Sequence, residues 1–513
     1  MPGKFYITTA IDYPSGKPHL GHAYEKITAD CIARWHRLLG EDVFFLTGTD
    51  EHGSKIAKKA NEAGKNPKKY VDEMAVFFKE LCKKLNTSHN RFIRTTDADH
   101  VKVAQGIFKK IHDKGEIYLG KYSGWYCPEC ETFYTEKDLK DGNCPTHGRK
   151  AEWISEESYF FKMGTYTQKF LDCLEKNPVA ILPLGRKKEI INRVKADGLN
   201  DLSVSRVNVP WGIPVPIDEK HTQYVWMDAL INYVSGVGAF PPESKDKLKR
   251  FWPADIHLIG KDILWHHSAI WFSILMAAGI PLPKTVFVHG FINTESGDKM
   301  SKSKGTVIDP IGLVGKYGAD PLRYFLLREI PFGQDGTFSE SALKERLNNE
   351  LANELGNLVN RTVVMAEKYC KGKIPKGKAN PALQKKLGLE KIKGLMERLE
   401  LHHALGEIFS FISSCNQFIN EKEPWSLFQK KAREKREGPA YKHLEKELDN
   451  VLYSLADSIR VISILLQPFI PETSEKINRQ LGVKPGLLKD CEFGLLKEGA
   501  KVKKGEVLFK KVE

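Results

Sequence analysis

The sequence predicts an α/β sheet domain broken by an insertion and followed by an all-α helix bundle. Three observations lead there. Short runs of β-branched and aromatic residues alternate with helical periodicity through the first half of the 513-residue chain. Near Tyr118 this alternation gives way to a cysteine-containing region that ends at about Pro216, after which it resumes. From about Asp335 the apolar residues recur at helical spacing.

Residues 5–11 are rich in β-branched and aromatic side chains and read as the first strand. After a Pro/Gly-rich turn, Leu20, Tyr24, Ile27, Cys31, Trp35 and Leu38 recur at helical spacing. A second strand over 43–47 leads into GTDEHG. Beyond the insertion, 256–259 reads as a strand, 265–279 as a helix and 286–292 as a strand. Leu395, Leu399, Leu405, Ile408, Ile412, Cys415 and Ile419 form one apolar stripe, and Leu444, Leu448, Leu455, Ile459, Ile462 and Leu466 another, as bundle helices require. Lysine-rich stretches such as 371–378 read as solvated connectors. The last segment, 492–512, alternates around Gly494, Gly499 and Gly505 and is expected to form a small hairpin.

Composition narrows the class. With 41% hydrophobic and 28% charged residues the chain is an ordinary globular protein, long enough for about two to four domains. The net charge of +14 suits a polyanionic partner, or serves general solubility. MPGKFYITTA carries no secretory signal pattern, and the longest apolar stretch, 269–280, is too short to span a bilayer. The nine cysteines are scattered apart from one cluster, which argues for a reducing compartment. A cytoplasmic protein with no membrane partner is expected.

Two stretches carry phosphate chemistry. His19-Leu20-Gly21-His22 opens a helix after a strand, where free N–H groups and the positive dipole end attract anions. A lone HxxH also serves as a simple helix cap. Residues 287–310, FVHGFINTESGDKMSKSKGTVIDP, carry Lys299, Lys302 and Lys304 among small residues, as a mobile cationic loop for departing phosphates would. Alone, such a loop reads as solvated. Neither GxGxxG nor GxxxxGK[ST] stands at these positions. Cys127 and Cys130 with Cys144 and His147 form C-x2-C and C-x2-H knuckles, which close a tetrahedral zinc site with no open position. Such a metal is structural; free thiols are the alternative.

HLGH resembles the HIGH signature and 299–303 reads KMSKS, the two ATP motifs of class I aminoacyl-tRNA synthetases, in the family's order with an insertion between. TGTDEHG (47–53), GWYCPECETFYTE (124–136), YVWMDALINY (224–233), HLIGKDILWHHSAIW (257–271) and ELGNLVNR (354–361) resemble the methionyl-tRNA synthetase family, and the resemblance spans essentially the whole chain. It implies a Rossmann-type parallel-sheet catalytic domain with halves at 1–116 and 223–284. A zinc-containing connective insertion at 117–222 would separate them. A KMSKS-loop linking domain at 285–345, an all-α helix-bundle anticodon-binding domain at 346–480 and a tail at 481–513 would follow.

The implied activity is ATP-dependent formation of methionyl-adenylate and transfer of methionine to the 3′-terminal adenosine of tRNA(Met), with ATP, L-methionine and tRNA(Met) as partners. His19, His22, Lys299 and Lys302 would be catalytic. Gly21, Glu25, Gly260, Asp262 and Ile292 would line the ATP site, with magnesium accompanying ATP. Asp50 would bind the α-ammonium. Ile11, Tyr13, Trp226, Ala229, Leu230, Tyr233, Ile263, His267 and Trp271 would shape a pocket for a polarizable thioether. A polar contact from Tyr13 or His267 is expected to help reject leucine and isoleucine. Asn357, Arg361 and Trp425 would read the CAU anticodon, by base-edge hydrogen bonds and stacking. One structural zinc is expected on Cys127, Cys130, Cys144 and His147. The insertion of roughly 100 residues leaves no room for the editing domain of the isoleucine, valine and leucine enzymes, so homocysteine would be removed in the synthetic site. A monomer is expected, or a chain that borrows a tRNA-binding subunit in trans. Another class I specificity and a non-catalytic tRNA-binding paralogue are the alternatives. The aromatic pocket set argues against the first, and the intact motifs against the second.

Overall fold

The computed structural model describes residues 3–145, 148–241, 243–297 and 307–512. Its centre is a six-stranded sheet in the order Arg91–Arg94, Asp42–Thr49, Lys4–Thr9, Ile256–Gly260, Thr285–His289, Ile181–Leu182. Every pairing in it is parallel. Such strands are covered on both faces, and accordingly Ile256–Gly260 and Thr285–His289 are buried along their whole length. The chain moves to one side of Lys4–Thr9 for its next two strands and later returns on the other side. This reversal opens a crevice at the C-terminal ends of Lys4–Thr9 and Ile256–Gly260, where doubly wound sheets bind ligands. Helix Leu20–Leu38 follows the first strand, and all six residues of its predicted stripe are buried.

The insertion is built on an antiparallel ribbon in which Ile117–Cys127 pairs with Glu152–Phe161, with Trp125 opposite Trp153. Two boundaries differ from the sequence reading. The segment 117–222 is not one excursion, because Ile181–Leu182 returns to the central sheet beside Thr285–His289. Helices Thr167–Lys176 and Leu184–Asp197 flank that strand, and their Phe170, Leu174, Ile190 and Val194 join the core of Phe272 and Ile274. Thr285–His289 is likewise a sheet strand rather than the start of the linking segment. A two-residue strand is too short to show a period.

The second half is helical. The stripe from Leu395 to Ile419 divides at Leu399, whose φ of +59° separates Leu389–Glu397 from Leu401–Lys422. The second stripe is one helix, Pro439–Leu466. The expected terminal hairpin is absent among the described residues. The tail is instead sewn to the bundle: Ile374 N–H donates to the Ala500 carbonyl at 2.9 Å, and the Asn348 amide exchanges hydrogen bonds of 2.8 and 2.9 Å with the backbone of Val512.

One buried arginine ties these parts together. Arg323, on helix Ala319–Glu329, is fully buried. Its guanidinium lies 2.7 Å from Asp30 of helix Leu20–Leu38. It also donates to the carbonyls of Phe469 (2.9 Å), Pro468 (3.0 Å) and Leu85 (3.2 Å). Burial opposes the charge on Asp30. The guanidiniums of Arg323 and Arg34 and two hydrogen bonds from Ser88 outweigh it and hold the carboxyl below its usual range.

Arg323→Met would remove one of the two guanidiniums on the buried Asp30 carboxylate, leaving Arg34 and Ser88, and would leave three buried carbonyls without their donor, at a cost of about 3–5 kcal/mol. A clear fall in the thermal unfolding midpoint at neutral pH is expected. A carboxyl with a depressed folded value stabilises at neutral pH and loses that contribution as pH falls, so the gap between wild type and variant should close in acid.

Candidate active site

A cavity of about 400 Å³ opens at the sheet crevice. Lining it are residues from the end of the first strand, the start of helix Leu20–Leu38, the loop after Asp42–Thr49, the zinc-type knuckle, helix Val225–Ala229 and the segment after Ile256–Gly260.

The helix start contributes His19, Gly21, His22 and Glu25 to the lining. His19 is the N-cap: its Nδ1 accepts from Gly21 N–H at 3.1 Å, and His22 Nδ1 accepts from His19 N–H at 3.0 Å. This is a capping box made of imidazoles. Because both Nδ1 atoms accept, the neutral rings carry their protons on Nε2 and present N–H donors there. The rings stack at 3.8 Å. Gly21 suits this arrangement, since a Cβ would come within 3.0–3.1 Å of the His19 ring and push it aside by a few tenths of an ångström. Glu25, one turn further, accepts from Ala10 N–H at 2.7 Å and fixes the strand end against the helix. Leu20 N–H donates to the Ile308 carbonyl at 3.2 Å, so the chain just beyond the KMSKS segment docks on the same helix start. Ile292, just before that segment, also lines the cavity. Lys299 and Lys302 lie outside the described residues.

Asp50 also lines the cavity. Its Oδ1 is buried without a hydrogen-bond partner. Burial, together with the carboxylates of Asp228, Glu131 and Glu51, pushes its carboxyl well above the usual range. A cation reaching this position would relieve that repulsion. Ile11, Tyr13, Trp226, Ala229, Leu230, Tyr233, Ile263 and His267 line the same cavity, as do Gly260 and Asp262. The helical stretch carrying His267 begins with a π-helical turn, His266–Ile270, a local irregularity typical of functional sites.

Two expectations need correction. Trp271 does not line the cavity; it is fully buried behind Tyr233, at 5.9 Å between rings, and bonds His257 at 3.3 Å. The expected polar contact to a thioether is already engaged within the protein. Tyr13 OH donates to Glu131 at 2.8 Å. His267 Nδ1–H donates to the Ile263 carbonyl at 3.0 Å, so its Nε2 accepts from Tyr233 OH at 2.7 Å. Burial pulls His267 down to about 4, which keeps it neutral.

Sequence reasoning does not single out Glu131, Lys55, Asp12 or His289, all of which line the cavity. Glu131 follows Cys130 and accepts from Tyr13 OH, from Ser54 Oγ at 3.1 Å and from Lys55 N–H at 2.9 Å. Gly53, with φ of +108°, leaves room for that meeting, since a Cβ there would lie 2.6 Å from both Glu131 and Tyr13 OH. Asp12 is paired with the fully buried Lys26 at 2.9 Å. An isolated charged residue in a sequence carries no period that would reveal such roles.

The sulfurs of Cys127, Cys130 and Cys144 lie within 4.8 Å of one another, with 3.7 Å between Cys130 and Cys144. A tetrahedral zinc with Zn–S bonds of about 2.3 Å requires thiolates about 3.8 Å apart. The cluster therefore fits a metal ion; His147 lies outside the described residues. At the bundle, the Arg361 guanidinium sits 5.5 Å over the Trp425 ring and donates to Asn420 at 3.1 Å. Asn357 is exposed one turn away on helix Asn357–Cys370.

The family model described as tRNA synthetases class I (M) matches residues 5–152 and 136–363, and the anticodon binding domain of methionyl tRNA ligase matches 374–513. A methionine–tRNA ligase of Caldanaerobacter subterraneus subsp. tengcongensis is 48% identical over 521 residues, covering 100% of this chain and 80% of that protein. The chain belongs to the methionyl-tRNA synthetase family. A Clostridium tetani methionine–tRNA ligase is 46% identical, over 99% of this chain and 78% of that one. Among solved structures, Mycobacterium tuberculosis methionyl-tRNA synthetase in complex with methionyl-adenylate superimposes with a TM-score of 0.92 at 39% identity, over 99% of each chain. The free-state structure of that synthetase gives 0.86 at 36% identity, over 100% of this chain and 99% of that one. In this methionyl-tRNA synthetase family member, no helix among the described residues is long and apolar enough to cross a membrane.

An amino-acid ammonium brought to Asp50 favours the ionised carboxyl. Methionine binding should then release protons and tighten as pH rises through the raised Asp50 value. Calorimetric titration in buffers of different ionisation enthalpy measures this, and Asp50→Asn should bind methionine weakly with no proton release.

Proposed function

We propose that the protein activates methionine with ATP and transfers it to the 3′-terminal adenosine of tRNA(Met), releasing pyrophosphate and then AMP. The observation that carries this reading is one cavity lined by Asp50, whose Oδ1 has no hydrogen-bond partner, by the imidazole-capped helix start and by the aromatic residues Tyr13, Trp226 and Tyr233.

In the first step the methionine carboxylate attacks the α-phosphate in line. It is already ionised at pH 7, so no general base is needed. Asp50 would hold the ammonium, and Trp226, Ala229, Leu230, Tyr233 and Ile263 would enclose the side chain. His19 and His22 would donate to the phosphoryl oxygens as charge develops, while Lys299 and Lys302 would hold the leaving pyrophosphate. Gly21, Glu25, Gly260, Asp262 and Ile292 would seat the nucleotide. Magnesium bound with ATP supplies further charge neutralisation. In the second step the terminal adenosine of the tRNA attacks the adenylate carbonyl, with the class I pattern implying its 2′-hydroxyl.

Cys127, Cys130, Cys144 and His147 would hold one structural zinc, stiffening the knuckle that carries Glu131 into the pocket. Asn357, Arg361 and Trp425 would meet the anticodon, where an indole backed by a guanidinium offers a stacking platform. A cytoplasmic enzyme, acting as a monomer or with a tRNA-binding subunit in trans, fits the composition.

The reading is tested by amino-acid-dependent ATP–pyrophosphate exchange across the standard amino acids, with exchange expected for methionine alone. His22→Ala and Lys302→Ala should each lower the exchange rate about 10²–10³-fold, as removal of a charge-stabilising donor does. Methionine affinity by equilibrium binding should stay nearly unchanged; an equal loss of binding would remove those two residues from their roles.

A further inference from the structure

We propose that Asp228, which does not line the cavity, is the positioning residue that holds the ammonium-binding loop at a fixed distance from the side-chain wall, acting through His52 and His100. This inference rests on the methionine reading above. Asp228 is fully buried. Its Oδ2 lies 2.6 Å from His52 Nδ1 and its Oδ1 2.7 Å from His100 Nε2. His100 Nδ1 in turn meets Ser235 Oγ at 2.8 Å.

The three partners stand on three different elements. His52 is two residues beyond Asp50, on the loop after Asp42–Thr49. Asp228 sits in helix Val225–Ala229, between the lining residues Trp226 and Ala229. His100 belongs to helix Ala98–Asp113, whose Ala104, Ile107 and Phe108 pack into the core over the sheet. A single carboxylate thus joins the loop bearing Asp50 to the helix bearing Trp226, and pins both to the scaffold. Trp211 braces the same loop from outside, its Nε1–H donating to the Glu51 carbonyl at 2.6 Å.

The methionine side chain limits how far the thioether can lie from the ammonium, so the spacing between these two walls bears on which amino acid fits. A carboxylate in full burial is expensive unless both oxygens are paired, and here both are. Burial opposes the charge on Asp228, but the two imidazoles hold its carboxyl below the usual range. The charge also reaches Asp50. The groups facing Asp50 are Asp228 from its helix, Glu131 from the knuckle, Glu51 on its own loop, the last paired with Arg94 at 2.6 Å, and the phenols of Tyr13 and Tyr233, while the His52 backbone N–H donates to it. Removing the Asp228 charge should let Asp50 ionise at lower pH.

The test is ATP–pyrophosphate exchange with the zinc-loaded full chain. Wild type must exchange with methionine; failure there overturns the functional reading, independently of Asp228. Given wild-type exchange, Asp228→Asn should raise KM for methionine about tenfold or more, the scale of a lost charged hydrogen bond. KM for ATP should stay within about twofold. The acid limb of kcat/KM for methionine should move to lower pH, which a merely structural defect would not produce. An unchanged methionine KM overturns the proposal, as does a parallel rise in both KM values with an unmoved acid limb. If Asp228→Asn does not fold, the His100 pair decides. His100→Gln, whose amide reaches the Nε2 position, should behave as wild type, and His100→Leu should raise KM for methionine. Equal behaviour of the two overturns the proposal.

Discussion

The site depends on how one helix start satisfies its own backbone. The first N–H groups of Leu20–Leu38 have no intrahelical acceptors. Here Leu20 N–H is taken by the Ile308 carbonyl, Gly21 N–H by His19 Nδ1, and the N–H of the N-cap residue itself by His22 Nδ1, imidazoles standing where a hydroxyl or carboxylate is usual. The two imidazole contacts set the tautomer of both rings, with the proton on Nε2, so the cap fixes which ring nitrogens are donors on two residues that line the cavity. Gly21 is the space that lets His19 fold back.

Everything around that helix start keeps it at the switch point of the sheet. Glu25 joins it to the first strand, and the Ile308 carbonyl brings the far side of the KMSKS segment to it. Asp30, further along the same helix, is locked to Arg323 and through it to the bundle. A rigid path thus runs from the helix that faces the nucleotide crevice to the domain matched by the anticodon-binding model. For an enzyme that must work at one end of a long nucleic acid and read the other, that continuity is a physical requirement. The amino-acid wall is rigid for the same kind of reason, since Tyr13, Tyr233 and His267 already have their polar atoms bonded within the protein.

Much of this was legible in the sequence, and unevenly so. The long strands and helices could be read because burial imposes a period, and the stripe of Leu20–Leu38 survives residue for residue. The helix start at His19 and the cysteine cluster could be read because fixed spacings mark them. Ile181–Leu182 could not, because two residues show no period. Trp271 matched a family motif and still turned out to stand behind the wall rather than in it; a motif gives neighbourhood, whereas lining depends on side-chain direction. The glycine rhythm of the tail suggested strands, yet the tail is held by bonds to the bundle. Arg323, Glu131 and Asp228 were silent because single buried charges acquire meaning only from partners distant in sequence.

The dual use of the histidine cap is tested most directly by side-chain nitrogen NMR of ring-labelled His19 and His22 near neutral pH. The account requires Nδ1 unprotonated and Nε2 protonated in both rings, with the pattern held when an unreactive ATP analogue binds. A proton on Nδ1 of either ring would contradict it, because the cap could not then form and the donors would have no fixed aim.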